Sequence, residues 1–482
     1  MKKRPIRRLR QENNMPSGNQ FSGNPVADQA LVAEWLGFPA DLVQQQLQYQ
    51  GQPAWLLYLE GMTNEEQLAR LLAAGELGPD ARSCATVSAV AAEIMNGRAA
   101  LFLPGQTAPW LLGVAGWEHR QPEQPLAEMV IRGGREGFTE VLKSNLALVR
   151  RRLQNRHLQV KLLELGTEHR VRVALLYLHQ LVDPALIREV EGRLAKANLR
   201  GVWDSGMLER WLAERSWSPF PQVLATERPD RVGAALAEGR VALLVDGSPF
   251  ALIVPGLFTD FLTSAEDYYL HPVLATSVRW IRAMSFFIAL SLPALYIALT
   301  TFHQEMLPTT LMLSIAAARS GVPMPAFAEA LVMELAIELI REASLRLPGP
   351  MGNTLGVVGA LVIGQAAVQA GLVGPILTVI VALTALATFA IPNYALGFTI
   401  RLLRFVVMLA AAVMGGFGLA LTLGLILAYI LQLEVYGIPY AAGFFPPSWR
   451  AWDDHPFWLG GIAAGQERPR WRSRSNEGGE GL

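Results

Sequence analysis

The sequence predicts an α/β plus α-helical membrane protein: two similar cytoplasmic α/β subdomains followed by a multi-pass transmembrane helical domain. Three observations predict this. The excess apolarity of the 482 residues lies between about 283 and 433, whereas the chain before about 278 has the balance of soluble protein. One pattern of strands and helices occurs twice in that first part. Within the apolar part, "EALVMELAIELIRE" (329–342) places glutamates at four-residue spacing, where hydration is hardest to supply.

The start, "MKKRPIRRLRQENNMPSGNQFSGNP", is basic but has no apolar h-region, so it does not read as a secretory signal. Residues 1–28 read as a disordered basic arm, suited to anionic lipid or simply solvated. The first 280 or so residues are then expected in the cytoplasm. The single cysteine, Cys84, excludes an intrachain disulfide framework and fits a reducing compartment. Net charge is +0, which argues neither for nor against nucleic acid or an acidic substrate.

The duplication is read from paired segments. "AWLLYLEGM" (54–62) and "VALLYLHQL" (173–181) are apolar runs suited to buried strands. Each precedes a helix start: Asn64 can cap with Gln67 three residues on, and Asp183 can cap with Pro184 at the first helical position. Later in each copy a helix ends at glycine and a strand follows, "NGRAALFLPG" (96–105) against "EGRVALLVDG" (238–247). "PWLLGV" and "PFALIV" then return across a Pro/Gly turn as hairpins. These pairs give subdomain 1 over 29–135 and subdomain 2 over 156–278, with a linker helix at 136–155 whose end is basic.

The membrane region is expected over 279–433, with a tail over 434–482. "AMSFFIALSLPALYIALTTF" (283–302) is long enough to span, and Pro293 predicts a kink. Further candidates are 355–374, with Gln365 and Gln369 one turn apart, the marginal 376–391, and 405–433. In the last, Gly415, Gly416, Gly418 and Gly424 permit close helix packing. If 323–345 also crosses there are five spans: Arg341, Arg346, Arg401 and Arg404 lie inside and the Arg-rich tail outside. Otherwise there are four, with the tail inside and both arginine pairs outside.

Phosphate-loop, HExxH and GxSxG motifs are absent, and His303 with Glu305 reads as an interfacial polar pair before a metal site. No enzyme, cofactor or metal site is expected. At about 100° per residue, Glu334, Glu338 and Glu342 share one helix face. That face reads either as an amphipathic helix in the interface or, repeated around an oligomer axis, as rings of carboxylates that hold water and select cations.

The segments "IRGGREGFTEVLKSNLALVRRRL", "SPFPQVLATERPDRVGAALAEGRVALLVDGSPFALIVP", "EDYY", "LPALYIALTTFHQEMLPTTLMLSIAAARSGVPMPAFAEALVMELAIELIREASLRLPGPMGNTLGVVGALVIGQAAVQAG" and "IPYAAGFFPP" closely resemble the GerA family of spore germination proteins, the A subunits of nutrient germinant receptors. The resemblance covers about 128–447; Gly134 stands where the family usually has Pro, and nothing carries over beyond Pro447. It implies a multi-pass protein of the spore inner membrane. It also implies work with a transporter-like B subunit and a lipoprotein C subunit, in a homo-oligomeric ring that releases monovalent cations, with no nucleic-acid partner. Mapped onto this chain, Glu334, Glu338, Glu342, Gln365 and Gln369 are the candidate ion path. Pro323, Pro325, Pro348 and Pro350 are candidate hinges. Two alternatives stay open: the family's stage V sporulation paralogue, which amplifies the ion signal, and a non-conducting scaffold for B and C.

Overall fold

A computed structural model of the chain describes residues 21–116, 125, 128–130, 132–197, 200–346, 359 and 362–442. The first unit is built on a hairpin, β1 (Leu42–Tyr49) and β2 (Gln52–Leu59). Its turn residues Gln50 and Gly51 both have positive φ, 50° and 81°, as a two-residue hairpin turn matched to strand twist demands. Strands β3 (Arg82–Ser83), β4 (Ala99–Phe102) and β5 (Trp110–Leu112) complete a sheet of order β1-β2-β4-β5-β3.

The second unit repeats this plan position for position. Strands β6 (Leu158–Leu165), β7 (Val171–Leu178), β8 (Leu224–Thr226), β9 (Val241–Val245) and β10 (Ala251–Val254) are ordered β6-β7-β9-β10-β8. In both copies the "LLYL" run supplies an inner strand whose leucines are buried, Leu56, Leu57 and Leu59 against Leu175, Leu176 and Leu178. The helix after it is capped by the residue the sequence indicates. Asn64 accepts from Gln67 N at 2.9 Å at the start of α2 (Glu65–Ala74). Asp183 accepts from Ala185 N at 2.8 Å at the start of α5 (Pro184–Lys196).

Folding begins earlier than the expected limit at 29. Helix α1 (Pro25–Trp35) starts at Pro25, and Phe21 packs edge-on against Phe102 with ring centroids 6.0 Å apart. Helix α3 (Val87–Met95) covers the same sheet, and α4 (Leu142–Arg152) lies in the expected linker. Arg150 of α4 reaches back to buried Asp41, Nε to Oδ2 at 2.5 Å, and beside it Ala40 N donates to Val160 O at 3.0 Å. The two units are therefore joined through a desolvated ion pair and a backbone bond. The second unit adds α6 (Ser205–Leu212), α7 (Pro229–Ala237) and the short α8 (Phe258–Leu262).

The helical region begins with α9 (Pro272–Thr301). At its near end Arg279 and Arg282 both donate to Asp267, a carboxylate with no exposed surface, at 3.3 Å and 2.7–2.8 Å. These two arginines thus bolt α9 to the second unit. Beyond α9 come α10 (Thr309–Arg319), α11 (Ala326–Arg346), a helical segment over 362–369 (α12), α13 (Pro375–Phe389) and α14 (Tyr394–Gln432). Side-chain contacts order them. Glu329, early in α11, accepts from Gly374 N at the head of α13, while Arg341 lies 4.5 Å from the Phe389 ring at its foot, so α11 and α13 run side by side. Gly359 faces Ile340 and Gly371 faces Gly321, so α12 runs the opposite way.

The segment 405–433, expected as one crossing, is instead the larger part of a hairpin. Helix α14 starts at Tyr394 and breaks at Gly415, whose φ is 59° and ψ −139°. Thr399 Oγ1 donates to Pro219 O, and Tyr429 stacks on the adjoining Phe220 at 6.0 Å. On a straight helix those two residues would stand about 45 Å apart. Both ends of α14 therefore rest on the second unit, and Gly415 is the far tip, against Phe302 and His303 at the end of α9. Past α14 the chain turns through β11 (Glu434–Val435) and β12 (Ile438–Pro439) and buries Tyr440, which donates to Pro221 O at 2.7 Å. The expected tail thus begins as packed structure; its Arg-rich part lies outside the described residues, as do most of the basic arm, Pro348 and Pro350.

Asp41→Ala strands the buried Arg150 guanidinium and should cost about 3–5 kcal/mol of unfolding free energy. A lowered urea midpoint of the full-length chain in detergent would register it; an unchanged midpoint would show the pair carries no stability.

Candidate functional site

The charged residues of helix α11 are Glu329, Glu334, Glu338, Arg341, Glu342 and Arg346 on an otherwise mostly apolar helix, so its charges decide how it packs. Glu334 is 1% exposed and pairs with Arg404 of α14, itself 2% exposed. The same guanidinium donates from Nε to Ala289 O of α9 at 2.8 Å and from its other amino group to Thr388 Oγ1 of α13 at 2.8 Å. One arginine thus ties four helices. A planar fork with five donors suits this; a lysine would lose the spread.

A turn further on, Glu338 Oε2 accepts from Arg401 at 2.9 Å, and Arg401 lies over the Phe398 and Tyr394 rings at 5.2 and 5.8 Å. Glu329 has no exposed surface and accepts from Gly374 N at 2.6 Å, with Arg319 at 3.5 Å. Glu342 points outward and binds Arg346 of its own helix at 2.7 Å. Glu334 and Glu338 therefore face into their own chain, which corrects the expectation of three carboxylates presented together. The outer face of α11 is Val332, Leu335 and Leu339, 49%, 48% and 72% exposed. Even so, Oε1 of Glu334 and of Glu338 is buried without a hydrogen-bond partner among the described residues.

On α12 the outcome is the reverse: Gln365 and Gln369 are both exposed, one turn apart on the outside of the bundle. Pro323 and Pro325 lie in the exposed turn before α11, where Pro325 O accepts from Glu329 N at 3.1 Å. Of the four glycines, three sit in the tight tip. A methyl on Gly415 would meet Phe302 at 2.8 Å, one on Gly416 His303 at 3.0 Å, and one on Gly418 the Ala410 carbonyl at 2.2 Å. A methyl on Gly424 would meet nothing within 4 Å, so no close helix approach requires a glycine there.

Arg404 and Arg401 are the site residues that sequence reading missed. By sequence alone they read as charges flanking a span that starts at 405. The available signal was their spacing of three, which puts both on one helix face as Glu334 and Glu338 are on theirs.

Glu334→Ala leaves Arg404 buried without its counter-charge and should destabilise the helical region by about 3–5 kcal/mol. The double change Glu334→Ala with Arg404→Met should recover much of it; a double-mutant cycle of detergent melting points with no coupling would refute the pairing. Gly415→Ala should cost about 1–3 kcal/mol from the backbone alone, before its clash with Phe302, and should expose the tip to protease.

The sequence model of the family described as Bacillus/Clostridium GerA spore germination protein matches residues 30–470. Spore germination protein KA of Bacillus subtilis (strain 168) is 42% identical over 80% of this chain and 71% of its own. Spore germination protein GerLA of Bacillus cereus is 42% identical over 75% of this chain and 73% of its own. The uncharacterized membrane protein YfkQ of Bacillus subtilis (strain 168) is 43% identical over 75% and 70%. Among solved structures, the N-terminal domain of the A subunit of the Bacillus megaterium spore germinant receptor GerK3 is 23% identical, with a TM-score of 0.40, over 51% of this chain and 99% of that one. By the extent of the family match and the identity of these relatives, the chain belongs to the GerA family of spore germination proteins.

Proposed function

We propose that this chain is an A subunit of a nutrient germinant receptor, a multi-pass protein of the spore inner membrane with its α/β units in the cytoplasm. In this reading copies of the chain surround a wet axis that passes monovalent cations, alongside a transporter-like B subunit and a lipoprotein C subunit. The observation that carries it is the outward placement of Gln365 and Gln369. Amide side chains facing hydrocarbon are costly, so at membrane depth they call for neighbouring subunits or water. The unpartnered Oε1 atoms of Glu334 and Glu338 add to this, because a buried carboxylate oxygen is completed by a donor or a cation.

Membrane depth follows from length. From Arg282 to Phe302, α9 covers about 30 Å, the thickness of a bilayer core. Helices α9 and α14 are both apolar and long enough to cross. With α14 folded back at Gly415, the passes alternate out and back: α9, α11, α12, α13 and the two arms of α14. An even number of passes returns the C-terminal segment to the side of the α/β units. Arg341, Arg346, Arg401 and Arg404 then all lie toward that side, as positive-inside preference asks.

Two experiments test this. Gln365→Leu with Gln369→Leu should slow nutrient-triggered release of monovalent cations from spores severalfold while leaving receptor abundance unchanged; normal release at normal abundance would remove α12 from the path. In a Cys84→Ala background, Met306→Cys should react with an impermeant maleimide from outside the membrane and Gln432→Cys should not. Labelling of both from one side would break the folded-back topology.

A further inference from the structure

Where α14 leaves the second unit there is a cavity of about 410 Å³ that the charge network does not use. Its walls are the end of α6, the loop 213–223 and the first turns of α14, including Arg210, Arg215, Ser216, Ser218, Tyr394 and Phe398. The loop is held in place. Gln222, 2% exposed, accepts from Glu214 N at 2.8 Å and Arg215 N at 3.1 Å and donates to Arg215 O at 3.0 Å. Thr399 and Tyr440 bond to the carbonyls of Pro219 and Pro221, fixing the loop to both sides of the α14 junction. The cavity is therefore built rather than a gap between mobile parts.

Its chemistry is cationic. Among the described residues no carboxylate lies within ion-pair distance of the Arg210 or Arg215 guanidinium, whereas Arg193, Arg228, Arg231 and Arg240 of the same unit are all paired. Ser216 and Ser218 add hydroxyl donors. Glu209 is the one acid in the lining. Burial, with Asp204 nearby, holds its carboxyl above the usual range, which weakens the charge that would oppose an anion.

The surroundings select the source of that anion. Tyr394 and Phe398 open the cavity toward the apolar surface of α14, 66% and 56% exposed, and Trp217 between the two serines is 98% exposed. Aromatic rings ringed with arginine at the head of an apolar helix are the composition of a membrane–water boundary. A soluble protein surface gains nothing from a fully exposed Trp; a headgroup layer does.

We propose that this cavity binds the phosphate of an anionic phospholipid headgroup between Arg210 and Arg215, with the acyl chains lying along Phe398 and the outer face of α14. The proposal rests on the reading that α14 enters the membrane at this end. It makes the lipid a bridge between the second α/β unit and the foot of the helix that carries Arg401 and Arg404.

The test is native mass spectrometry of the full-length chain in detergent, with phosphatidylglycerol and phosphatidylcholine supplied equally. Wild type should retain phosphatidylglycerol preferentially, and Arg210→Gln with Arg215→Gln should cut that preference about tenfold or more, the scale of one lost charge-assisted contact. Arg210→Lys with Arg215→Lys should keep most of it, and the exposed control Arg200→Gln should change nothing. Equal retention by wild type and the glutamine variant would overturn the proposal, as would displacement of the lipid by millimolar inorganic phosphate, which would mark a free-anion site. Flotation of the same proteins with alkaline-washed vesicles separates the two readings. A chain that stays in the vesicles but shows no lipid preference refutes only this site; a chain that washes off refutes the membrane reading and this site together.

Discussion

The arrangement of the helices depends on burying Arg404. A guanidinium removed from water costs several kcal/mol unless its donors are met by charge and by well-placed acceptors. Here Glu334 supplies the charge, while Ala289 O and Thr388 Oγ1 take the remaining directions. Because those three acceptors belong to α11, α9 and α13, satisfying one side chain fixes where three helices stand around α14. Apolar packing alone would not do this, since burial of Val, Leu and Ala surface is non-directional. The pair sets register; the surrounding apolar side chains fill space around it.

This changes what the glutamate stripe means. A charged face on an apolar helix has three outlets, a partner, an aqueous cavity or the interface, and α11 divides its acids among them. Glu329, Glu334 and Glu338 each hydrogen-bond a partner through one oxygen and bury the other, and Glu342 is exposed at the near end, paired with Arg346. In the proposed function, a permeating cation would therefore meet carboxylates already paired with arginine rather than three free rings. On the proposed reading, a change in the seating of α11 that loosened Arg401 from Glu338 would expose a carboxylate without unfolding anything. That is the kind of two-arrangement element a gate requires.

Much of the α/β architecture was legible because both copies carry the same local signals. The caps at Asn64 and Asp183, the "LLYL" strands and the returning hairpins each follow from residue type and offset. The strands β1 and β6 are not legible in the sequence: half of "LVQQQLQY" is glutamine, and an edge strand with one solvated face carries little apolar signal. In the helical region the apolar runs located helices but not their ends, because hydropathy stops at Arg401 and Arg404 whereas the helix, having paired those charges, continues to Tyr394. The fold at Gly415 was hidden for a related reason. Four glycines in one apolar run are equally consistent with close packing and with a turn, and only Phe302 and His303, distant in sequence, decide between them.

The contacts between the two halves of the molecule converge on the second α/β unit. Asp267 holds Arg279 and Arg282 of α9, Pro219 and Phe220 meet the two arms of α14, and Leu212 and Pro221 receive Tyr436 and Tyr440. Three helical ends are thus anchored in one rigid sheet unit, while the first unit reaches it through α4 and the Asp41–Arg150 pair. A displacement of the second unit must move the near ends of α9 and of both arms of α14 together. The first arm of α14 is bound through Arg404 and Arg401 to α11, and Arg404 also holds Ala289 of α9, so the displacement is delivered to Glu334 and Glu338 before it reaches the far tip at Gly415. The duplicated sheets need no binding chemistry of their own to act in this way; they need stiffness, and the buried central strands of each copy supply it.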